Sequence, residues 1–375
     1  MAQIIKIQAN PEILSWAREE AGFSIQDLSD KMSITPSRFE EWEKSGKEIP
    51  LGILKKIAGY YKRQIAVFFL PTTPEKIEKP KDFRNIANTN EAFSPETLLT
   101  IRRTNKYVKL AKEINGWGYW ERKYHWELEI KEIIEKTENI NNLEVTNWLR
   151  KVLKTSLKEQ KKFGDYSSSF KEWRNIIEKE LGIFVFQFPM PISELDGFSY
   201  LIKNNPKAIV INSNALPQRK IFTLFHELGH ILKNQSALCI TDITDENSKK
   251  VEYECNSFAG MFLVPENIIY PIKNEEELTK LSKINKVSRE VYLRRSFEKG
   301  LISRTDFFEL LKQIREHTII KKKKPNGFVK QTVKSKSRRG EMFYNLVLNA
   351  TYNSQIDFST ASDVLKLKVN HILNE

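Results

Sequence analysis

His226 and His230, with Glu227 between them, are the residues of this chain best placed to do chemistry. Four residues apart on a helix, two imidazoles project from one face about a turn apart, which suits two ligands of a tetrahedral zinc ion. A glutamate directly after the first ligand can reach a zinc-bound water and act as general base. Pro217 opens the segment, and Ile221, Phe222, Leu224, Phe225, Leu228, Ile231 and Leu232 predict a helix packed on most of its surface. The alternative is a pair of ordinary histidines on a core helix. The chemistry the spacing points to is metal-assisted hydrolysis, with Glu227 taking a proton from water and passing it to the leaving amine.

An open zinc site needs a third protein ligand. The stretch from Glu252 to Ala259 reads as a second helix, and a glutamate on it is the expected donor. Glu252 ranks first, Glu254 second and Cys255 third. Asn256 stands one turn from Glu252 and is placed to hydrogen-bond a ligating histidine from behind. His125, His317 and His371 have no ligand partner at helical spacing and read as structural or exposed.

The elements around this pair divide the chain. The first 70 residues read as short helices: Pro11 to Ala21, a second capped by Ser24, a third started by Thr35-Pro36 with a capping hydroxyl and stopping before Gly46, and a fourth opened by Pro50 and Leu51. Leu70 to Pro74 breaks the pattern. Glu91 to about Lys161 is helical again and rich in tryptophan (Trp117, Trp120, Trp126, Trp148). A helix from Phe170 to Leu181 ends at Gly182. Strands are expected at Ile183–Phe186, Gly197–Ile202 and Ala208–Ile211, with a turn at Lys203 to Pro206. An extended peptide could pair with the Gly197 strand. Helices continue after Pro265 to about Ile314, and one or two more close the chain from Glu341.

Composition sets limits. Apolar residues make up 40% and charged residues 29%, as in a folded chain. The longest apolar run, Ile65 to Leu70, is far too short to span a bilayer, and no signal-peptide stretch follows Lys6, so a cytoplasmic protein with no membrane partner is expected. Cys239 and Cys255 read as reduced thiols. The net charge of +13 invites nucleic acid as a partner. Its distribution is uneven: Met1 to Thr72 holds ten Lys/Arg against nine Asp/Glu, whereas Thr318 to Gly340 holds nine and none. That basic run reads as a solvated loop, with a phosphate-binding patch as the sharper alternative.

Three segments together resemble the ImmA/IrrE family of metallopeptidases. They are Arg219 to His230, the Glu252-x-x-Cys-Asn-x-Phe-Ala259 stretch, and Met261-Phe-Leu-Val-Pro265. The resemblance runs from about Pro80 to the C-terminus. It implies a small zincin-like α+β domain, Zn2+ as cofactor, Glu252 as third ligand, and cleavage of a protein substrate such as a transcriptional repressor or antitoxin. Cys255 stands where that family usually has alanine. Near the N-terminus, Trp42-Glu43 followed by Gly46 and Pro50 resembles the lambda-repressor-like helix-turn-helix family, which implies Thr35, Ser37, Arg38 and Glu41 as the positions that would face double-stranded DNA. A near-neutral charge and Glu40, Glu41 and Glu43 argue for the alternative, a helical module for homodimerisation or target docking.

The expected chain is therefore mainly α, with an N-terminal all-α helix-turn-helix domain (1–71) and a helical linker region (72–165). A zincin-like metallopeptidase core (166–300) and a C-terminal helical region (301–375) with a basic loop at 318–340 follow. The function expected is that of a zinc-dependent regulatory endopeptidase. The runner-up is a DNA-binding regulator whose metallopeptidase-like domain senses or scaffolds without cutting.

Overall fold

The computed structural model describes residues 5–74, 93–116, 124–202, 205–236, 245–317 and 329–375. Trp117, Trp120, Lys203, Asn204, Cys239 and the Lys321–Lys324 run lie outside the described residues. The described residues are 67% helical with small sheets, so the fold is mainly α with a small α+β part, as the sequence predicts. No helix among the described residues is long and apolar enough to cross a membrane. The chain forms two compact units, one within Met1–Lys79 and Ile86–Asn105 and the other within Pro80–Asn85 and Lys106–Glu375.

Among the described residues, the first unit opens with the helices α1 (Pro11–Glu20), α2 (Ile25–Met32), α3 (Pro36–Ser45) and α4 (Leu51–Tyr61). A short antiparallel pair, β1 (Lys6–Ile7) with β2 (Ile49–Pro50), ties the segment before α1 to the start of α4. Ser24 starts α2 through a reciprocal capping box with Asp27, which satisfies two otherwise orphaned amides. Thr35 occupies the N-cap of α3, but its hydroxyl does not cap the helix. The expected capping bond is absent there, and Pro36 alone supplies the preorganised start. Ser33, between α2 and α3, adopts the left-handed conformation at φ 55° that such a turn usually gives to glycine. Leu28, Phe39, Trp42, Leu54, Ile57 and Tyr61 form the core, and Arg18 clamps Glu43 with two hydrogen bonds of 2.7 and 3.0 Å.

In the second unit, helix α5 (Pro95–Asn115, of which residues from Lys106 onward belong here) precedes α6 (Trp126–Thr137), α7 (Leu143–Val152), α8 (Leu157–Lys162) and α9 (Tyr166–Leu181). Helix α9 begins earlier than Phe170 because Asp165 caps it by accepting from the Ser168 amide, and Gly182 at φ 67° ends it as expected. A three-stranded sheet follows, in the order β3 (Phe184–Phe188), β5 (Ala208–Asn212), β4 (Gly197–Tyr200). Strand β3 runs parallel to β5, with Phe184 opposite Ala208, and β4 runs antiparallel to it, with Gly197 opposite Ile211. The strands differ from the expected spans by one or two residues at their ends.

Alternation sorts the sheet's two faces. Phe184, Phe186 and Phe188 stack along β3, and Tyr107 and Phe343 pack on Phe186 at 5.7 and 5.4 Å. Val185, Ile209 and Ile211 face the larger core shared with α9 and the following helix, α10 (Pro217–Ser236). Trp173 sits in the centre of that core, edge-on to Phe163, Phe225 and Phe262 at 5.0–5.6 Å. Next come α11 (Asp245–Leu263), α12 (Glu275–Ile284), α13 (Arg289–Glu298) and α14 (Arg304–His317).

The C-terminal region corrects the expectation of a basic loop over 318–340. Within its described part, Gln331–Arg339 is a helix, α15, followed by α16 (Glu341–Tyr352), α17 (Phe358–Leu365) and α18 (Val369–Leu373). Arg339 is buried. It donates to the Val364 carbonyl at 2.6 Å and lies over the Tyr107 ring. A charge run predicts solvation only while its cations lack partners inside the fold, and here Arg339 has one.

Candidate metal centre

Helices α10 and α11 run antiparallel, since Phe225 packs on Phe262, Gly229 on Cys255 and Phe258, and Lys233 on Glu254. Gly229, inside the motif, lets them approach closely: a methyl there would stand 3.1 Å from the Phe258 ring and 3.4 Å from the Cys255 α-carbon. That approach brings Glu252 to the histidine pair. We expect Gly229→Leu to push the helices apart, at about 1–3 kcal/mol of overpacking, and to weaken metal binding in a competition titration; unchanged affinity would count against this role.

The far end of α11 is also fixed. Its last carbonyls have no partner inside the helix. Arg150 donates to the Phe262 carbonyl at 2.5 Å, Gln160 to Leu263 at 3.0 Å and Arg295 to Val264 at 3.1 Å. Cations at a helix C-terminus also complement its dipole. Nothing in the sequence pattern pointed to this clamp, because Arg150 and Gln160 lie more than a hundred residues from the carbonyls they hold.

Nε2 of His226 and Nε2 of His230 lie 3.1 Å apart. The Glu252 carboxylate meets both, Oε2 at 3.2 Å from His226 and Oε1 at 3.3 Å from His230. Among the described residues these three form the one group of His, Cys, Asp and Glu side chains arranged to hold a metal ion. Tetrahedral zinc with ligands at about 2.0–2.2 Å needs donor atoms roughly 3.3–3.5 Å apart, so the set fits such an ion closely. Burial disfavours charge on His230, while the hydrogen bond with Glu252 and the nearby Glu227 carboxylate act to raise its pKa. Burial also acts to raise the Glu252 carboxyl, but hydrogen bonds with His226 and His230 hold it well below the usual carboxylate range.

The other candidates separate cleanly. Glu254 points away and pairs with Lys233. Cys255 is buried beside His230, and burial pushes its thiol up, away from the thiolate a metal ligand requires. Glu227 is buried with only 8% of its surface exposed, beside the cluster. Asn256 does not do what its spacing suggested. It is exposed and hydrogen-bonds neither histidine, and His226 Nδ1 has no hydrogen-bond partner among the described residues. In the first unit, Thr35, Ser37 and Glu41 are exposed and Arg38 is half-buried, paired with Glu41 at 2.5 Å and lying over Trp42.

Residues 178–297 match the Peptidase_M78 family model, the IrrE N-terminal-like domain. The matched stretch contains His226, Glu227, His230 and Glu252 and the helices that carry them. This segment of the chain is metallopeptidase-like, and the match supports the ImmA/IrrE resemblance. It does not extend into the first unit. No curated protein matches the chain.

Proposed function

We propose that the protein is a zinc-dependent endopeptidase of the cytoplasm that cleaves one chosen protein partner, such as a transcriptional repressor or antitoxin. The observation that carries this is the convergence of His226, His230 and Glu252 at 3.1–3.3 Å beside a buried glutamate. Bound there, zinc supplies Lewis acidity towards a carbonyl and an acidified water. Glu227 accepts the water's proton on its carboxylate and returns it to the leaving amine. His226, His230 and Glu252 would hold the ion, the two imidazoles through Nε2 once deprotonated and the carboxylate adding a negative charge. The apolar packing of α10 against α11 sets the spacing of the two helices that carry all three.

Two arguments support a regulatory role for the first unit. Its α2 and α3 have helix-turn-helix connectivity, and Thr35, Ser37 and Glu41 are exposed at the start of the second helix. Glu43, one of the acids that argue against DNA contact, is tied to Arg18. The reading is that this unit brings the peptidase to its target, through DNA or through protein. A gel shift with upstream DNA of its own gene at low salt tests the DNA route, and absence of any shift would leave protein docking or dimerisation.

The proteolytic claim is tested by incubating the zinc-loaded full chain with repressor- or antitoxin-like proteins encoded beside its gene. One discrete cut is expected, stopped by a chelator and restored by zinc. A protein that holds zinc yet cuts none of them would favour a sensing or scaffolding role.

A further inference from the structure

We infer that the groove beside the metal ligands selects acidic peptide segments through a set of arginines, which deepens the peptidase reading above and rests on it. The groove has a volume of about 830 Å³. One wall is the α10 face carrying Arg219, Phe222 and Thr223, and the facing wall is the α11 face carrying Tyr253, Asn256 and Gly260. Helix α13 and the end of α14 complete it. Phe222 stands one turn before His226, and Asn256 one turn after Glu252, so the groove leads away from the ligand cluster. From Glu252 to Gly260 the helix rises about 12 Å. An extended peptide covers that distance in roughly three to four residues.

Among the described residues every cation lining this groove is an arginine: Arg219, Arg289, Arg294, Arg295 and Arg315. In the chain as a whole, lysine outnumbers arginine by more than two to one, so the groove departs sharply from the composition around it. Guanidinium is the side chain whose planar fork matches a carboxylate through two parallel hydrogen bonds, whereas ammonium offers a point charge. Gly260 makes room for one of them, since the Arg295 stem crosses α11 2.9 Å from where a Cβ would stand. Arg295 is buried, and its Nη2 has no hydrogen-bond partner among the described residues.

The groove's own acids hold some of the arginines in place. Asp196 pairs with Arg219, Glu290 with Arg294 at 2.7 Å and Glu298 with Arg295 at 2.5 Å. The Arg294–Glu290 pair is exposed, and such pairs are weak enough for an incoming carboxylate to replace the internal one. Arg315 is exposed and has no ion-pair partner among the described residues. Three acids interspersed with five arginines suit a peptide with spaced carboxylates. They suit a nucleic-acid backbone poorly, because its continuous phosphates would meet those acids. The acidic residue of the partner is expected about three to four positions from the cut bond.

The test uses the full-length, zinc-loaded Glu227→Gln protein, so that binding is read without turnover. Fluorescently labelled peptides of alternating Glu and Thr, Gln and Thr, or Lys and Thr are titrated by anisotropy at physiological salt, beside a labelled DNA duplex. The glutamate peptide is expected to bind about tenfold tighter than its glutamine counterpart. Adding Arg294→Gln with Arg315→Gln should remove most of that preference. Lys55→Gln with Lys56→Gln, an equal loss of charge on α4, should leave it intact. Equal binding of the Glu and Gln peptides, an equal loss in the lysine control, or displacement of the glutamate peptide by duplex DNA would overturn the inference. Preferential binding by a wild-type protein that cuts nothing would keep the acidic groove and remove the peptidase. Cleavage of a partner that is indifferent to its acidic residues would do the reverse.

Discussion

Glu227→Gln is expected to bind zinc as the wild type does and to cut its partner about 10²–10⁴-fold more slowly. Glutamine has nearly the same volume and can keep a hydrogen bond, so the buried position next to His230 stays filled. What it loses is the capacity to accept a proton at neutral pH. The three donors that converge on the metal position belong to His226, His230 and Glu252, so nothing in the ligand geometry changes. Metal content and cleavage rate measured on the same preparation separate the two roles. Zinc lost together with activity would place Glu227 among the ligands or the structural supports. Full activity with glutamine would remove it from the proton path.

The largest effect on stability is expected far from the metal, at Glu178. Its carboxylate is buried with Arg174, Oε1 to Nε at 3.5 Å, and accepts backbone hydrogen bonds from Val185 at 3.2 Å, Glu341 at 3.0 Å and Met342 at 3.1 Å. Arg174 in turn donates to the Ser337 carbonyl at 2.6 Å and to that of Val185. One ion pair thus joins the end of α9, the start of β3 and the junction between α15 and α16. Gly340 at that junction has φ 82°, and a side chain there would run into the carboxylate. Removing the acid leaves a buried, uncompensated guanidinium and three amides without an acceptor. Glu178→Ala should therefore cost about 3–5 kcal/mol. In a unit of this size that corresponds to a fall in melting temperature of roughly 6–20 °C. Glu178→Gln, which keeps an acceptor but loses the charge, should fall between. Proteolysis of the alanine variant should open first near Ser337 to Met342. A melting temperature within about 2 °C of wild type would contradict this account.

How much of this was legible in the sequence depended on how local each signal was. The histidine helix announced itself because two ligands, a base and an apolar surround all lie within one segment. Caps and stops read well for the same reason: the Ser24–Asp27 box, Pro36 and Gly182 act on their own neighbours. Thr35 was the exception, since its spacing allowed a cap that the observed side chain does not make. The third ligand was only ranked. Glu252, Glu254 and Cys255 all sit near one turn of α11, and what separates them is the partner helix, which gives Lys233 to Glu254 and His230 to the other two. Asn256 illustrates the converse, because helical spacing placed it near the site without turning it inward. The α15 helix was hidden by its charge. Its place depends on Tyr107 and Val364, one far before it in the chain and the other beyond it. The arginine groove is assembled from four helices, and the only trace of it in the sequence is a choice of arginine over lysine at scattered positions.

The central claim is that His226, His230 and Glu252 together hold a zinc ion. Elemental analysis of the purified full chain, beside Glu252→Ala, tests it most directly. The account predicts about one zinc per wild-type chain, with the alanine variant losing roughly 10-fold or more in affinity while keeping its fold by circular dichroism. Wild-type protein without stoichiometric metal, or an alanine variant that holds zinc as tightly as wild type, would contradict it.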